Sequence, residues 1–73
     1  MATVRKLEHL TLEKDTHHTE VQATYSIVHG KDGKYLQIDT YGSVERKIPG
    51  KKSQSIRFSP ESIQQLKILL EDF

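Results

Sequence analysis

The residues best suited to chemistry in this chain are aromatic and cationic. Tyr35, Gln37, Tyr41 and Arg57 fall on the polar side of two alternating stretches, with Lys31, Lys34, Arg46, Lys47, Lys51 and Lys52 in the segments beside them. Unpaired bases stack on aromatic faces for about 1–3 kcal/mol each, and lysine or arginine neutralises the phosphates. The chemistry offered is a sequence-tolerant, non-covalent grip on a single-stranded nucleic acid. His29 and Gln37 stand second in rank. The plain structural reading is that many sheets carry tyrosine and lysine on a solvated face to discourage edge pairing.

Covalent chemistry has less to stand on. Serines and histidines are present, but there is no strand-turn-helix nucleophile elbow and no glycine-rich phosphate cradle. General acid–base work needs a carboxylate or histidine in a desolvated cleft, and so short a chain has little volume for one. Asp39 is read instead as the partner of a nearby lysine. His17 and His18 lie among carboxylates, yet adjacent side chains diverge, and a metal needs three or four convergent ligands. The expectation is a non-enzymatic protein with no catalytic residue, no metal and no cofactor.

The net charge of +1 conceals an uneven distribution. Residues 1–20 carry a net −1 and residues 21–28 no charge. Residues 29–57 set seven cations against Asp32, Asp39 and Glu45, for +4, and residues 58–73 return to −2. The basic block coincides with the candidate residues.

The elements that must position them follow from periodicity. Val21, Ala23, Tyr25 and Ile27 alternate with polar residues, the signature of a half-buried strand. Asp32-Gly33 then marks a hairpin, on the argument that both residues tolerate positive φ. Tyr35 to Tyr41 alternates again, with Leu36 and Ile38 expected toward a core and Tyr35, Gln37, Asp39 and Tyr41 toward water. Gly42 to Lys52, with Pro49-Gly50, reads as a long basic loop. Ser55 to Phe58 forms a short strand with Ile56 and Phe58 inward. Ser59 caps a helix that has Pro60 at N1 and Glu61 in the first turn. Ile63, Leu66, Leu69, Leu70 and Phe73 make its apolar stripe, while Ile68 projects away from it. TVRKLEHLTL is read as a first strand and Glu13 to Glu20 as a polar loop.

Seventy-three residues make one domain, 1–73, and a chain this short hides only about 60% of its unfolded surface. Without cysteine, disulfides cannot compensate, so self-association is the expected remedy. The misplaced Ile68 would find cover in a helix–helix contact between two copies. No apolar run approaches the roughly 18 residues needed to span a bilayer, and MATVRKLEHL lacks a signal-peptide core. A reducing, cytoplasmic setting, away from membranes, is expected.

From Gly33 to Phe73 the order of features is more specific than any one of them. Gly33-Lys34 is followed by the strand Tyr35–Tyr41, the basic Pro49-Gly50-Lys51-Lys52, the strand Ile56–Phe58, Pro60-Glu61 and then Gln65-Leu66-Lys67. This resembles the positive-cofactor-four family of transcriptional coactivators, whose core is a homodimer that binds single-stranded DNA. The loop is spaced differently about Pro49-Gly50, and Tyr41-Gly42 stands where relatives carry a further aromatic and an arginine.

The resemblance implies an α+β fold, a four-stranded antiparallel curved sheet followed by one C-terminal helix. It implies a homodimer through the helices, with Leu66, Ile68, Leu69 and Phe73 at the interface. It also implies single-stranded-DNA binding by Lys31, Lys34, Tyr35, Tyr41, Arg46, Lys47, Lys51, Lys52 and Arg57, alongside transcription, replication or recombination proteins, in a bacterial or phage-infected cell. The competing expectation is an interaction module or accessory subunit that recruits a partner chain and binds no nucleic acid.

Overall fold

A computed structural model describes residues 1–42 and 52–73. Four strands and one helix follow in the order β1 (Ala2–Val4), β2 (Ala23–Gly30), β3 (Gly33–Tyr41), β4 (Lys52–Phe58) and α1 (Pro60–Leu70). They form a single sheet with spatial order β1-β4-β3-β2, so the fold is α+β.

The sheet is mixed, which corrects the expectation of an antiparallel one. β2 and β3 pair antiparallel, as do β3 and β4, but β1 runs parallel to β4, with Ala2 opposite Ile56 and Val4 opposite Phe58. Because β1 and β2 occupy opposite edges, no tight hairpin joins them, and the chain crosses over through residues 5–22. The local cause lies at the end of β4. The Val4 carbonyl accepts from the Ser59 N–H at 3.0 Å and from the Ser62 hydroxyl at 3.0 Å, so the helix start holds the first strand. The strand expected across TVRKLEHLTL shrinks accordingly to three residues, and Leu10 and Leu12 are exposed.

The β2–β3 hairpin closes on the paired glycines Gly30 and Gly33, with Lys31-Asp32 between them. Among the described residues Gly33 alone takes positive φ, +132°; Asp32, which tolerates such a φ, does not adopt it. A side chain at Gly30 would come within 2.7 Å of the Tyr35 ring, and one at Gly33 would be strained by the positive φ, so each side of the turn has its own reason to be glycine.

Residues directly opposite one another in a sheet share a face. Two apolar rows therefore cross one face: Ala2, Ile56, Ile38 and Tyr25 form the first, and Val4, Phe58, Leu36 and Ile27 the second. Thr3, Arg57, Gln37 and Ser26 form a polar row on the opposite face, beside Ser55, Asp39 and Thr24. Burial reverses the expected assignment of core and wet faces. Tyr35, Gln37 and Asp39 are the buried residues of β3, while Leu36 and Ile38 are half-buried and Tyr25 and Ile27 are exposed. The polar side chains cover one another; the apolar rows have too little of this one chain to lie against.

The helix begins as its sequence requires. Ser59 sits in extended conformation at the N-cap and accepts from the Ser62 N–H, Pro60 opens the first turn, Glu61 favours the positive end of the dipole and Lys67 the negative end. It packs on β3 and β4. It stops at Leu70, so Phe73 lies beyond it and is exposed, and the expected stripe is only half covered: Ile63 and Leu66 are half-buried, Leu69 and Leu70 exposed. Ser62 is the helix residue that is fully buried. Gln65 then ties the helix to the N-terminal segment, accepting from the Leu7 N–H at 2.8 Å and donating to the Leu7 carbonyl at 3.1 Å.

The total accessible surface is 6778 Å², where a compact chain of 8.4 kDa would expose roughly 4600 Å². Residues 8–20, exposed throughout, and the uncovered apolar side chains contribute to the excess.

Candidate nucleic-acid interface

The polar face is built by β3 and β4, and its side chains form one connected network. Arg57 donates through Nε to Gln37 Oε1 at 3.1 Å. Gln37 passes the polarity on, its Nε2 donating to Asp39 Oδ1 at 3.0 Å, which fixes the orientation of the amide. The Ser55 hydroxyl also donates to Asp39, and Lys52 Nζ stands 3.3 Å from Asp39 Oδ2. Among the described residues every buried side-chain nitrogen and oxygen has a partner. Such networks are rigid when complete.

Electrostatics follows from these contacts. The Ser55 hydroxyl, and after it Gln37 and Lys52, hold the Asp39 carboxyl below its ordinary value against the opposing effect of burial. Asp32 is lowered in the same way, by the Tyr35 hydroxyl first and Arg5 second. Both carboxylates are ionised at neutral pH and serve as anchors for cations, not as proton donors. The expected pairing of Asp39 with a lysine is met by Lys52.

A second cluster stands at the hairpin. The Tyr35 hydroxyl reaches both oxygens of Asp32, at 2.7 and 2.8 Å, and Arg5 Nη1 bonds Asp32 Oδ2 at 3.0 Å. The Arg5 guanidinium carbon lies 5.5 Å from the centre of the Tyr35 ring, within cation–π range.

The sequence-derived residues fall into several groups. Arg57, Lys52 and Tyr41 belong to the polar face; Tyr41 is half-buried, with its hydroxyl 2.9 Å from Thr24 Oγ1. Tyr35 shares the face but is only 8% exposed and lies beneath Arg5, where alternation expected it toward water. Lys31 is exposed in the turn. Lys34 pairs with His29 and, by alternation, shares the face of Leu36 and Ile38, so these two do not join the others. Arg46, Lys47 and Lys51, with Pro49-Gly50, lie outside the described residues. Of the expected dimer contacts Leu66 is half-buried, while Ile68, Leu69 and Phe73 are exposed.

Sequence reasoning missed Arg5. Its partner Asp32 is 27 positions away, and no periodic pattern links them. Only the parallel placement of β1 brings Arg5 to the hairpin.

Among the described residues no three histidine or carboxylate side chains converge as metal ligands, and no helix is long and apolar enough to cross a membrane. Comparison with known protein families, with curated proteins and with solved structures finds no match to this chain.

Proposed function

We propose that this chain binds single-stranded DNA without regard to base sequence and does so as a homodimer, in the manner of the positive-cofactor-four family that its C-terminal half resembles. The observation that carries the reading is the fixed placement of Lys52 and Arg57 on one strand of the polar face. They stand five residues apart along β4, about 16 Å at strand rise, each positioned through the Gln37–Asp39 relay. A phosphodiester chain running along β4 meets both cations, with the Tyr41 ring beside Lys52 in the register. Holding melted strands in this way serves transcription, replication or recombination in the cytoplasm.

The homodimer answers the exposed apolar rows and the exposed Ile68 and Leu69. Two copies that cover these surfaces leave both polar faces open for DNA.

Fluorescence anisotropy with labelled oligo-dT tests the reading. With about five phosphates neutralised, log affinity falls against log salt with a slope near −3.5. Single strands compete and a duplex of the same length competes poorly. A signal that ignores oligo-dT at low ionic strength removes the proposal.

The uncovered apolar face favours a second reading, a module that recruits another protein and uses its lysines only for solubility. Replacing Lys52 and Arg57 together by Glu separates the two. Loss of oligonucleotide binding with unchanged mass in light scattering supports the first reading, and no change supports the second.

A further inference from the structure

Arg5, Asp32 and Tyr35 form a closed set on the polar face: the carboxylate holds the guanidinium, the guanidinium covers the ring, and the ring hydroxyl returns to the carboxylate. Each position has a counterpart in a nucleic-acid complex. An oxyanion on an arginine is what a phosphate would provide, and a flat cation on a tyrosine occupies the place of a stacked base.

We propose that Arg5 is a phosphodiester-binding residue held in reserve by Asp32, and that a single strand displaces Asp32 from Arg5 and opens the Tyr35 ring for stacking. The inference rests on the single-strand reading and adds to it a site in the N-terminal segment. Three observations make the exchange physically easy. The Arg5 and Asp32 side chains are 61% and 52% exposed, and solvent-exposed ion pairs contribute little. Arg5 follows the last residue of the three-residue β1, so its side chain swings without breaking a ladder bond. Asp32 keeps the Tyr35 hydroxyl as a partner when Arg5 leaves, so no group is stranded.

The same exchange explains how Tyr35, buried in the free chain, becomes available. The exposed Arg5 guanidinium covers one side of its ring. The Gly30 backbone beside the ring and the Asp32 bond to its hydroxyl hold it upright, so it is ordered before the base arrives, and binding spends little on ordering it.

The experiment is a double-mutant cycle on full-length protein, read by anisotropy with oligo-dT over a range of salt. Asp32→Asn removes the competing charge and leaves an oxygen for the tyrosine. It is expected to bind about two- to five-fold tighter with an unchanged salt slope, because Arg5 meets a phosphate in both complexes and only the cost of displacing Asp32 is removed. Arg5→Ala binds more weakly with a shallower slope. In the Arg5→Ala background, Asp32→Asn gives no comparable gain, because the competition it relieves no longer exists.

Equal gains from Asp32→Asn with and without Arg5 overturn the inference, since they would mark a general charge effect. Wild-type binding with unchanged affinity in Asp32→Asn overturns it as well, while the single-strand reading stands. Absence of binding by wild type and all variants at low salt overturns both together. Circular dichroism on each variant confirms that the sheet has formed before these results are compared.

Discussion

Lys52 Nζ stands 3.3 Å from the Asp39 carboxylate, and the two ends of this pair occupy different surroundings: the Asp39 side chain is 3% exposed and that of Lys52 57%. Asp39 also accepts from Ser55 and Gln37, and Gln37 in turn accepts from Arg57. The carboxylate is thus the fixed member, and the lysine is an accessible cation tethered to it. A phosphate can approach Lys52 without the sheet losing its buried anion.

The pH dependence of stability follows from the same carboxylate. Asp39 and Asp32 are both lowered from the ordinary 3.8. A depressed folded-state value means that each contributes stability above 3.8, which is lost as pH falls through the folded value. Thermal unfolding followed by circular dichroism is expected to give a Tm that is flat from about pH 7 to pH 5 and falls below about pH 4. Asp39→Asn lowers Tm at neutral pH and shallows the acid decline. An acid decline as steep in Asp39→Asn as in wild type would show that Asp39 is not its source.

The hairpin glycines make separate predictions. Gly30→Ala places a methyl 2.7 Å from the Tyr35 ring, which is pinned by its hydroxyl bonds to Asp32. Overpacking of this kind costs about 1–3 kcal/mol, read by urea unfolding. Gly33→Ala meets Pro60 at 3.1 Å and forces φ of +132° on an L-residue, so its cost is of the same order and arises even if the proline gives way.

How much of this was legible before the structure depends on the range of the interaction. The hairpin, the Ser59 cap and the helix start are local, written in adjacent residues, and all three occur where their signals stand. Alternation placed Leu36, Ile38, Ile56 and Phe58 on one face, and the register joins them in two rows. Alternation does not state which face is covered. That depends on what lies over it, and here the polar side chains of Arg57, Gln37, Asp39 and Lys52 shield one another while the apolar rows stay partly open. The direction of β1 was hidden for a related reason. It is set by Val4 meeting Ser59 and Ser62, more than fifty positions away, and three residues carry no periodic signal. Arg5 and its contact with Tyr35 were out of reach with it.

The helix cap tests a local reading. Ser59 is fully buried, accepts from the Ser62 N–H at 3.3 Å and donates to the Arg5 carbonyl at 3.4 Å. Ser59→Ala removes the cap, at about 1 kcal/mol in the usual range of 0.5–2, and loosens the N-terminal segment too. Hydrogen exchange at Leu7 and along β1 is expected to accelerate together with the first turn of the helix. Ser59→Asp, which can still cap, restores the helix turn but not the bond to the Arg5 carbonyl, since an ionised carboxylate donates nothing.

Association is the prediction with the widest consequences, because the chain alone leaves its apolar rows open. Tyr25 is 76% exposed and Ile27 52%, and both are followed across the sheet by apolar partners, so water faces a continuous patch and not scattered side chains. Ile68 and Leu69 add exposed aliphatics on the helix. Sedimentation and light scattering are expected to give twice the chain mass at micromolar concentration. Ile27→Asp puts a charge in the sheet patch, and Ile68→Asp puts one on the helix; a buried unpaired charge is strongly unfavourable, so whichever surface is covered in the dimer yields a monomer. Ile68→Asp alone giving a monomer locates the contact on the helices, and both variants giving one means that helix and sheet are covered together. Wild type at the mass of a single chain, with exposed apolar surface reported by dye binding, would show that the patch awaits a different protein.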